Sequence, residues 1–215
     1  MTKGSFLIIC ILWLVLTASA ATKTHTVVFG RWTTIQPPAS GAVGESLRIR
    51  SLLVDGKTKE FTTGQVHDVT DRTFVVQRMV RVNDSLPHET GPTRWRWERA
   101  GWVLVDRMTG RVQPVALAEF DSDGSQVSWF RDYAAYCGRS DDGQKEFAII
   151  AQVGKRRPLL KKALGEANLA GCPAPVWQRD PVRVTFAIRE DPKLTFSVSS
   201  RFVDLATEDE SEGEE

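Results

Sequence analysis

The stretch Val127–Val153 reads VSWFRDYAAYCGRSDDGQKEFAIIAQV and continues directly into a basic segment, Gly154–Lys162, with the sequence GKRRPLLKK. It contains both tyrosines of the chain, one cysteine and a dense group of cations. Asp and Gly residues at Ser140–Gly143 favour a turn between two segments rich in apolar and aromatic residues. We therefore predict a central hairpin with strands at Gln126–Gly138 and Lys145–Val153, around which the other strands pack.

The segment that follows the hairpin, residues 157–169, is compatible with two secondary structures. Pro158 followed by Leu159 and Leu160 fits the first turn of a short helix. Gly165 counts against a helix, because glycine costs about 1 kcal/mol relative to alanine in a helix interior. We favour a strand over 157–164, with a helix as the alternative.

Other segments show the same short alternating pattern, bounded by turn residues. The strongest signal is Asp55-Gly56, a dipeptide typical of two-residue hairpin turns. A second hairpin is predicted around Ala100-Gly101. The predicted strands outside the central stretch are Thr24–Gln36, Ser46–Val54, Lys57–Thr63, Arg72–Val82, Arg94–Arg99, Trp102–Asp106, Arg111–Leu117, Pro181–Arg189 and Leu194–Val203.

About ten short strands and no secure helix predict a mostly-β fold. Tight turns between consecutive strands favour antiparallel meanders and hairpins that close into a sandwich or a barrel-like domain. We expect a single domain over 21–205, with a split into two small subdomains near 83–93 as an alternative. The Ser-x-Asp-Gly turn at 140–143 also resembles a propeller-blade hairpin, so a partial blade-like arrangement is a second alternative.

The N-terminal 20 residues have the three parts of a secretory signal peptide. Lys3 supplies the positive charge, Phe6–Leu16 is an uninterrupted apolar run, and Thr17–Ala20 supplies the small residues of a cleavage site. The apolar run is shorter than the roughly 20 residues that a transmembrane helix needs. We therefore expect an exported protein, periplasmic or extracellular, with no membrane span after cleavage.

The C-terminal segment 206–215 is strongly acidic, although the whole chain has a formal net charge of only +1. Six of its last eight residues are Asp or Glu. A segment with so little apolar surface cannot offset its ordering entropy, so we expect a disordered tail. The remainder of the mature chain consequently carries about +6.

Removal of the signal peptide leaves two cysteines, Cys137 and Cys172. In an oxidising compartment such a pair most simply forms one disulfide. Two buried free thiols are the alternative.

Catalytic motifs are absent from the sequence. The chain has no G-x-S-x-G nucleophile motif, no H-E-x-x-H or paired C-x-x-C metal motif, and no P-loop or dinucleotide fingerprint. We therefore expect no cofactor and no metal, and the protein is more plausible as a non-enzyme. A carboxylate pair for glycoside hydrolysis is a spatial feature that sequence cannot exclude. The acids on or beside predicted strands are Glu98, Asp106, Glu119 and Asp132.

Two groups of residues are candidates for binding. Trp95 and Trp97 alternate along one predicted strand and could form an exposed aromatic surface, although tryptophan more often belongs to the core. Five cations lie within eight residues after the central hairpin: Lys155, Arg156, Arg157, Lys161 and Lys162. They would suit an anionic glycan, a lipid headgroup or an acidic protein; nucleic acid is not expected outside the cell. Alternatively, they form a solvated segment that protects a sheet edge from aggregation.

Three motifs carry a resemblance to a group of exported bacterial proteins for which no activity is established. They are Trp102–Arg111 (WVLVDRMTGR), Ser128–Gly138 (SWFRDYAAYCG) with Ser140–Lys145 (SDDGQK), and Cys172–Trp177 (CPAPVW). The resemblance implies a bacterial origin and a secreted or cell-envelope location. The residues themselves favour a binding or accessory role over a hydrolase acting on polysaccharide or cell wall, with a structural or assembly component as the third class.

Overall fold

The fold is an all-β arrangement of fifteen strands in a computed structural model, which describes residues 23–35, 47–167, 172–187, 194–199 and 203–205. No helix occurs among these residues, so none is long and apolar enough to cross a membrane. The predicted signal peptide and acidic tail lie outside the described residues. The strands are β1 Val27–Phe29, β2 Thr33–Ile35, β3 Leu47–Val54, β4 Lys57–Asp68, β5 Thr73–Asn83, β6 Trp95–Asp106, β7 Val112–Pro114, β8 Ser128–Phe130, β9 Tyr133–Arg139, β10 Lys145–Gln152, β11 Leu160–Glu166, β12 Val176–Arg179, β13 Val182–Phe186, β14 Leu194–Val198 and β15 Val203–Leu205.

The strands form three antiparallel sheets, which confirms the predicted mostly-β fold. Sheet I is a curled meander in the order β1-β3-β4-β5-β6-β7, with β2 also paired to β3. Sheet II has the order β11-β10-β9-β8, and sheet III the order β12-β13-β14-β15. Strands that follow each other in the sequence are thus hydrogen-bonded neighbours within their sheet in nearly every case, as short connections favour.

Sheet I contains the hairpin that Asp55-Gly56 predicted. Both residues have positive φ, 51° and 74°, which a two-residue turn with the twist of the flanking strands requires. The predicted strand Thr24–Gln36 is instead two short strands, β1 and β2, that both pair with β3. The strand is interrupted after Phe29, at Gly30, where an added Cβ would clash with Ser51 Oγ.

The predicted hairpin turn at Ala100-Gly101 is wrong. Residues 95–106 form one continuous strand, and the register along β5 shifts from Gln77↔Trp102 to Met79↔Arg99. Ala100-Gly101 therefore accommodates one extra residue as a β-bulge, which increases the local twist without reversing the chain. The hairpin connection is the loop 84–94, which joins β5 and β6 within one sheet.

The central stretch forms the middle of sheet II and is buried on both faces. Ala134–Gly138 of β9 and Ala148–Ala151 of β10 are buried without alternation. A strand covered on one face alternates between buried and exposed residues, whereas one covered on both faces is a continuous apolar run. The predicted first strand of this hairpin is divided by a turn at Arg131-Asp132, where Arg131 has a φ of 52°.

The two faces of the β9–β10 pair contribute to separate cores. One core joins sheet II to sheet III, and the other lies under the connection 115–127. The residues of the first are Ala135, Cys137, Ala148, Ile150, Cys172, Val184, Phe186, Phe196 and Val198. The second contains Ala134, Tyr136, Ile149 and Ala151, packed against Leu117, Phe120, Val127, Trp129 and Phe147.

Tyr136 connects the second core to its covering segment. Its ring is fully buried, and its hydroxyl donates to Ala118 O at 2.7 Å. Burial raises the pKa of the Tyr136 phenol well above its usual range, with the Glu119 carboxylate adding to the effect. The hydroxyl therefore stays protonated and remains a donor at all physiological pH values.

Two assignments in the C-terminal half complete the comparison. Residues 160–166 form β11, so the strand favoured for this segment is confirmed and the helix is not formed. Residues 176–179 form β12, a strand that was not predicted from the sequence. Residues 188–193 lie outside the described residues, but β13 and β14 on either side of them are paired.

Cys137 and Cys172 are paired as a disulfide, with their Cα atoms 6.0 Å apart. Cys137 lies on β9 and Cys172 precedes β12, so the pair joins sheet II to sheet III inside the first core. The sequence separation of 35 residues makes this a medium-length closed loop.

Replacing both cysteines with serine is expected to lower the free energy of unfolding by about 4 kcal/mol, because the unfolded chain regains the entropy of the open loop. Urea denaturation of the oxidised protein and of the C137S/C172S variant measures the difference. Intact-mass analysis with and without reductant provides the control, because an unchanged mass would contradict the disulfide.

Replacing Gly138 with alanine is expected to destabilise the protein by about 1–3 kcal/mol through overpacking. A Cβ at this position would lie 2.5 Å from Ile149 Cδ1 and 2.8 Å from Glu119 O. Gly101→Ala is the matched control, because no atom lies within 4 Å of its added Cβ. It should remain within about 0.5 kcal/mol of the wild type in the same urea titration. Equal stability of the two variants would contradict the close packing between β9 and the connection 115–127.

Candidate functional site

An exposed aromatic surface lies on one face of sheet I, where β4, β5 and β6 run side by side. The register places Phe61 opposite Met79, Arg81 opposite Trp97 and Asn83 opposite Trp95. Residues directly opposed in an antiparallel pair share a face, as do alternate residues of one strand. We call Phe61, Arg81, Trp95 and Trp97 together the aromatic face.

The outer residues of the aromatic face are exposed, whereas the neighbouring residue Met79 on the same side of the sheet is buried. Trp95 and Phe61 are 51% and 41% exposed, whereas Met79 of the same face is only 2% exposed. The Phe61 and Trp97 rings lie 5.0 Å apart at 67°, and the Arg81 guanidinium lies 4.9 Å from the Trp95 ring centre. The expectation that these tryptophans belong to the core is therefore wrong for Trp95, while Trp97 is partly buried.

This geometry is suited to binding a flat or amphipathic ligand. Aromatic rings offer a large apolar area at low entropic cost because they have few rotatable bonds. The edge-to-face contact of Phe61 with Trp97 and the Arg81 cation over Trp95 each stabilise the observed ring positions. The face therefore combines apolar platforms with a positive charge.

The same face of sheet I continues to the junction with sheet II. Trp102 lies 5.2 Å from Trp129 of β8, and the His67 ring stacks on Trp129 at 5.8 Å. His67 Nε2 also lies 2.8 Å from Arg131 O. The indole N–H groups of Trp102 and Trp129 are buried without an acceptor among the described residues. These aromatic contacts attach sheet II to sheet I and cover this half of the sheet.

The edge of β6 beside the aromatic face has no ladder partner among the described residues. β7 pairs only with Val103–Val105, so residues 95–101 of β6 are bonded to β5 alone. An open edge of this kind can add a further strand, which is the feature expected of an assembly component. The bulge at Ala100-Gly101 and the exposed Arg96 and Arg99 oppose such pairing.

The five predicted cations do not form one patch. Lys155, Arg156 and Arg157 are exposed in the turn after β10, while Lys161 and Lys162 belong to β11. Lys161 Nζ lies 2.5 Å from Glu119 Oε1 and 4.3 Å from the Phe147 ring centre, whereas Lys162 Nζ is 6.0 Å from the Phe196 ring centre.

Lys161 and Lys162 therefore lie over different cores. Because β11 is an edge strand of sheet II, these two lysines match the alternative of charges that protect a sheet edge. Only the turn cations Lys155, Arg156 and Arg157 remain as free binding candidates from that group.

The four candidate carboxylates each have a local partner. Glu98 and Asp106 lie on one strand, separated by about 26 Å at the usual rise per residue. Glu119 and Asp132 lie beside opposite ends of β9, about 20 Å apart by the same measure. Glycoside hydrolysis needs two carboxyl groups roughly 5–10 Å apart. Glu98 forms an ion pair with Arg96, Asp106 with Arg72 and Glu119 with Lys161. Asp132 accepts a hydrogen bond from Gln152.

Metal binding has no support in the described part of the chain, where no three His, Cys, Asp or Glu side chains cluster.

Searches against protein-family models, curated proteins and solved structures gave no match to this chain. The functional reading therefore depends on the geometry of the surface itself.

Phe61 and Arg81 were not recognised as site residues from the sequence. They come from β4 and β5, and only the strand register brings them beside Trp95 and Trp97. The alternating Met79-Val80-Arg81 pattern contained the one available signal, because it places a charge on the same face as a buried residue.

Asp106 has a structural role at the end of β6. Its carboxylate accepts hydrogen bonds from Arg72 Nε and Nη2 and from the backbone N–H groups of Met108 and Thr109. The Arg72 hydrogen bond, assisted by those two N–H groups, lowers the pKa of Asp106 well below its usual range.

Replacing Asp106 with asparagine is expected to destabilise the protein at neutral pH and to flatten its acid sensitivity. A carboxyl group with a lowered pKa in the folded state contributes stability above the unfolded pKa of about 3.9, and this is lost as pH falls through the folded value. Urea denaturation at pH 7 and pH 3 should show a smaller pH-dependent loss for D106N than for the wild type. Asp71→Asn is the control, since the exposed Asp71 carboxylate forms no ion pair among the described residues. If D106N and D71N lost the same amount of unfolding free energy between pH 7 and pH 3, the role assigned to Asp106 would be contradicted.

Proposed function

We propose that this protein is exported from a bacterial cell and acts outside the cytoplasm as a non-enzymatic module that binds an anionic polysaccharide. Export is supported by the signal-like segment 1–20 and by the pairing of Cys137 with Cys172, since disulfides persist in oxidising compartments. The resemblance to exported bacterial proteins supports the same compartment. The binding role rests on the aromatic face.

The single observation that carries the proposal is the exposure of Trp95, whose ring lies against Arg81 on a face that also holds the Phe61–Trp97 ring pair. Large exposed apolar groups on a monomer mark interaction surfaces, because leaving them in water is unfavourable. Sugar rings present apolar C–H faces that fit an aromatic plane, while their hydroxyl groups remain solvated.

The positive charge on this surface favours an acidic polysaccharide over a neutral one as the ligand. Arg81 belongs to the aromatic face, and Arg99 is exposed on the same face of β6. Guanidinium groups pair well with carboxylates and sulfates. A polymer of uronic acids supplies both the apolar ring faces and the charges that this surface would contact.

A binding role is favoured over hydrolysis because the acids of the chain are already engaged. Each candidate carboxylate has an ion pair or a hydrogen bond, and the two pairs compared above are separated by far more than the distance that glycoside hydrolysis requires. The aromatic face contains no carboxylate among its defining residues.

Trp95→Ala is expected to weaken binding to alginate, a polymer of uronic acids, by about tenfold or more, as for a central aromatic contact. Affinity electrophoresis and calorimetry measure the change, with dextran as the neutral comparison polymer. Binding should also weaken with added salt, because charged contacts are screened. Failure of the wild type to bind alginate, or equal binding by the wild type and W95A, would contradict the proposal.

Trp32→Ala is the matched control for this experiment. Trp32 is 41% exposed and lies against Arg48 and Arg50, so its loss removes a comparable cation–aromatic contact outside the aromatic face.

The triple variant K155S/R156S/R157S tests the other binding candidate, the cations in the turn after β10. Loss of alginate binding in that variant, with binding retained in W95A, would place the ligand at the turn after β10.

A further inference from the structure

A cavity of about 380 Å³ lies away from the aromatic face, where sheet I curls so far that the turn after β6 reaches the turn between β3 and β4. The backbone N–H of His25 donates to Met108 O at 3.1 Å, which fixes this approach. Its lining includes Lys23, His25, Asp55, Lys57, Lys59 and Gly110.

The wall of the cavity is a built structure. A Cβ on Gly110 would lie 2.5 Å from Val54 Cγ1 and 3.0 Å from His25 Cβ, and Gly110 has a φ of 63°. Only glycine satisfies both the close approach and the left-handed backbone at this position. The two turns can therefore meet without filling the cavity.

Asp55 is held in the wall of the cavity and offsets only one of the three lysine charges. It accepts a hydrogen bond from Thr26 N at 3.0 Å and contacts His25 Nδ1 at 2.7 Å. The hydrogen bond from Thr26, followed by that of His25, lowers the pKa of Asp55 and keeps it ionised. His25 Nε2 makes no hydrogen bond to any described residue.

The cavity has an excess of positive charge. Lys23, Lys57 and Lys59 contribute three ammonium groups against the one carboxylate of Asp55. Within the described ranges, none of these three lysines belongs to an ion pair, unlike Lys161. Lys59 is the extra residue of a β-bulge between Thr58 and Glu60, the kind of irregularity that redirects a side chain.

We propose that this cavity binds a dianionic phosphate group, either as inorganic phosphate or carried on a small sugar. The surplus of about two positive charges matches a phosphate monoester, which carries about −1.5 to −2 at neutral pH. Lysines bind phosphate as point charges, and the lining contains lysines but no arginine, so recognition here would depend on charge and not on a planar guanidinium fork. The cavity volume lies at the lower end of the range for small-molecule sites.

The proposed site shares no residue with the aromatic face and does not depend on alginate binding. Lys57 and Lys59 contribute to the cavity, whereas Phe61 contributes to the aromatic face. Failure of either proposal therefore leaves the other intact, because the two are measured with different probes and different variants.

Calorimetric titration of the mature protein with inorganic phosphate and with glucose 6-phosphate tests the proposal. We expect saturable binding that weakens about tenfold or more in K57Q/K59Q and is unchanged in K155Q/R156Q, which removes the same charge from the exposed turn. Tighter binding of glucose 6-phosphate than of phosphate would identify a carried phosphate, and equal affinity would identify the free ion; both support the site.

Nuclear magnetic resonance gives a readout that is independent of affinity, since phosphate should shift the imidazole signals of His25 more than those of His67. The single variant K23Q provides a second test if K57Q/K59Q does not fold. Absence of saturable binding at millimolar phosphate and sugar phosphate, or equal binding in K57Q/K59Q and K155Q/R156Q, would overturn the proposal.

Discussion

The β9–β10 ladder is covered on both faces, so its side chains fill two separate cores while its backbone groups are paired within sheet II. This constraint explains features that otherwise look unrelated. Cys137 is joined to Cys172 on the side of sheet III, Tyr136 donates to Ala118 on the other side, and Gly138 admits the backbone of Glu119. Each of these contacts secures one cover of the same ladder.

The contact between sheet I and sheet II is smaller than the two cores on either side of the β9–β10 ladder. Its extent determines which part of sheet I remains exposed. Trp129 from β8 covers only the part of the face that contains His67, Val75 and Trp102. Phe61 and Trp95, on the same face, are exposed, and their ring contacts are with Trp97 and Arg81 of their own sheet. Among the described residues, the aromatic face is thus the part of this surface for which no ring contact to sheet II is found.

The fold class and most strands were predictable from sequence because they depend on local patterns. The Asp55-Gly56 turn is set by backbone preference, and the strand at Arg72–Val82 was recognisable from its alternating pattern, although residues 74–76 are buried on both faces. The bulge at Ala100-Gly101 was read as a turn because both features tolerate the same small residues, and only pairing with an unbroken β5 distinguishes them. β12 was missed because its pairing with β13 is decided by tertiary context.

The candidate sites were less predictable than the fold, because each is assembled from distant segments. Trp95 and Trp97 were found by spacing along one strand, but Phe61 and Arg81 join them only through the register of sheet I. The cavity brings together Lys23, Lys57 and Gly110 through curling of the whole sheet, for which the sequence has no local signal. The compact run Lys155–Lys162, by contrast, is divided by the alternation of β11.

Charge placement connects the two proposed ligands. The acids compared on sheets I and II are matched by nearby cations or donors, whereas several cations on the aromatic face, in the cavity and in the turn after β10 have no acidic partner among the described residues. The near-zero net charge of the chain conceals this imbalance, because six acids are concentrated in residues 208–215. A body with uncompensated cations beside aromatic or cavity surfaces attracts anions at long range and orients them at short range. In the proposed roles both surfaces would favour anionic ligands, one through exposed aromatic rings beside Arg81 and the other through a group of exposed lysines around a half-open cavity.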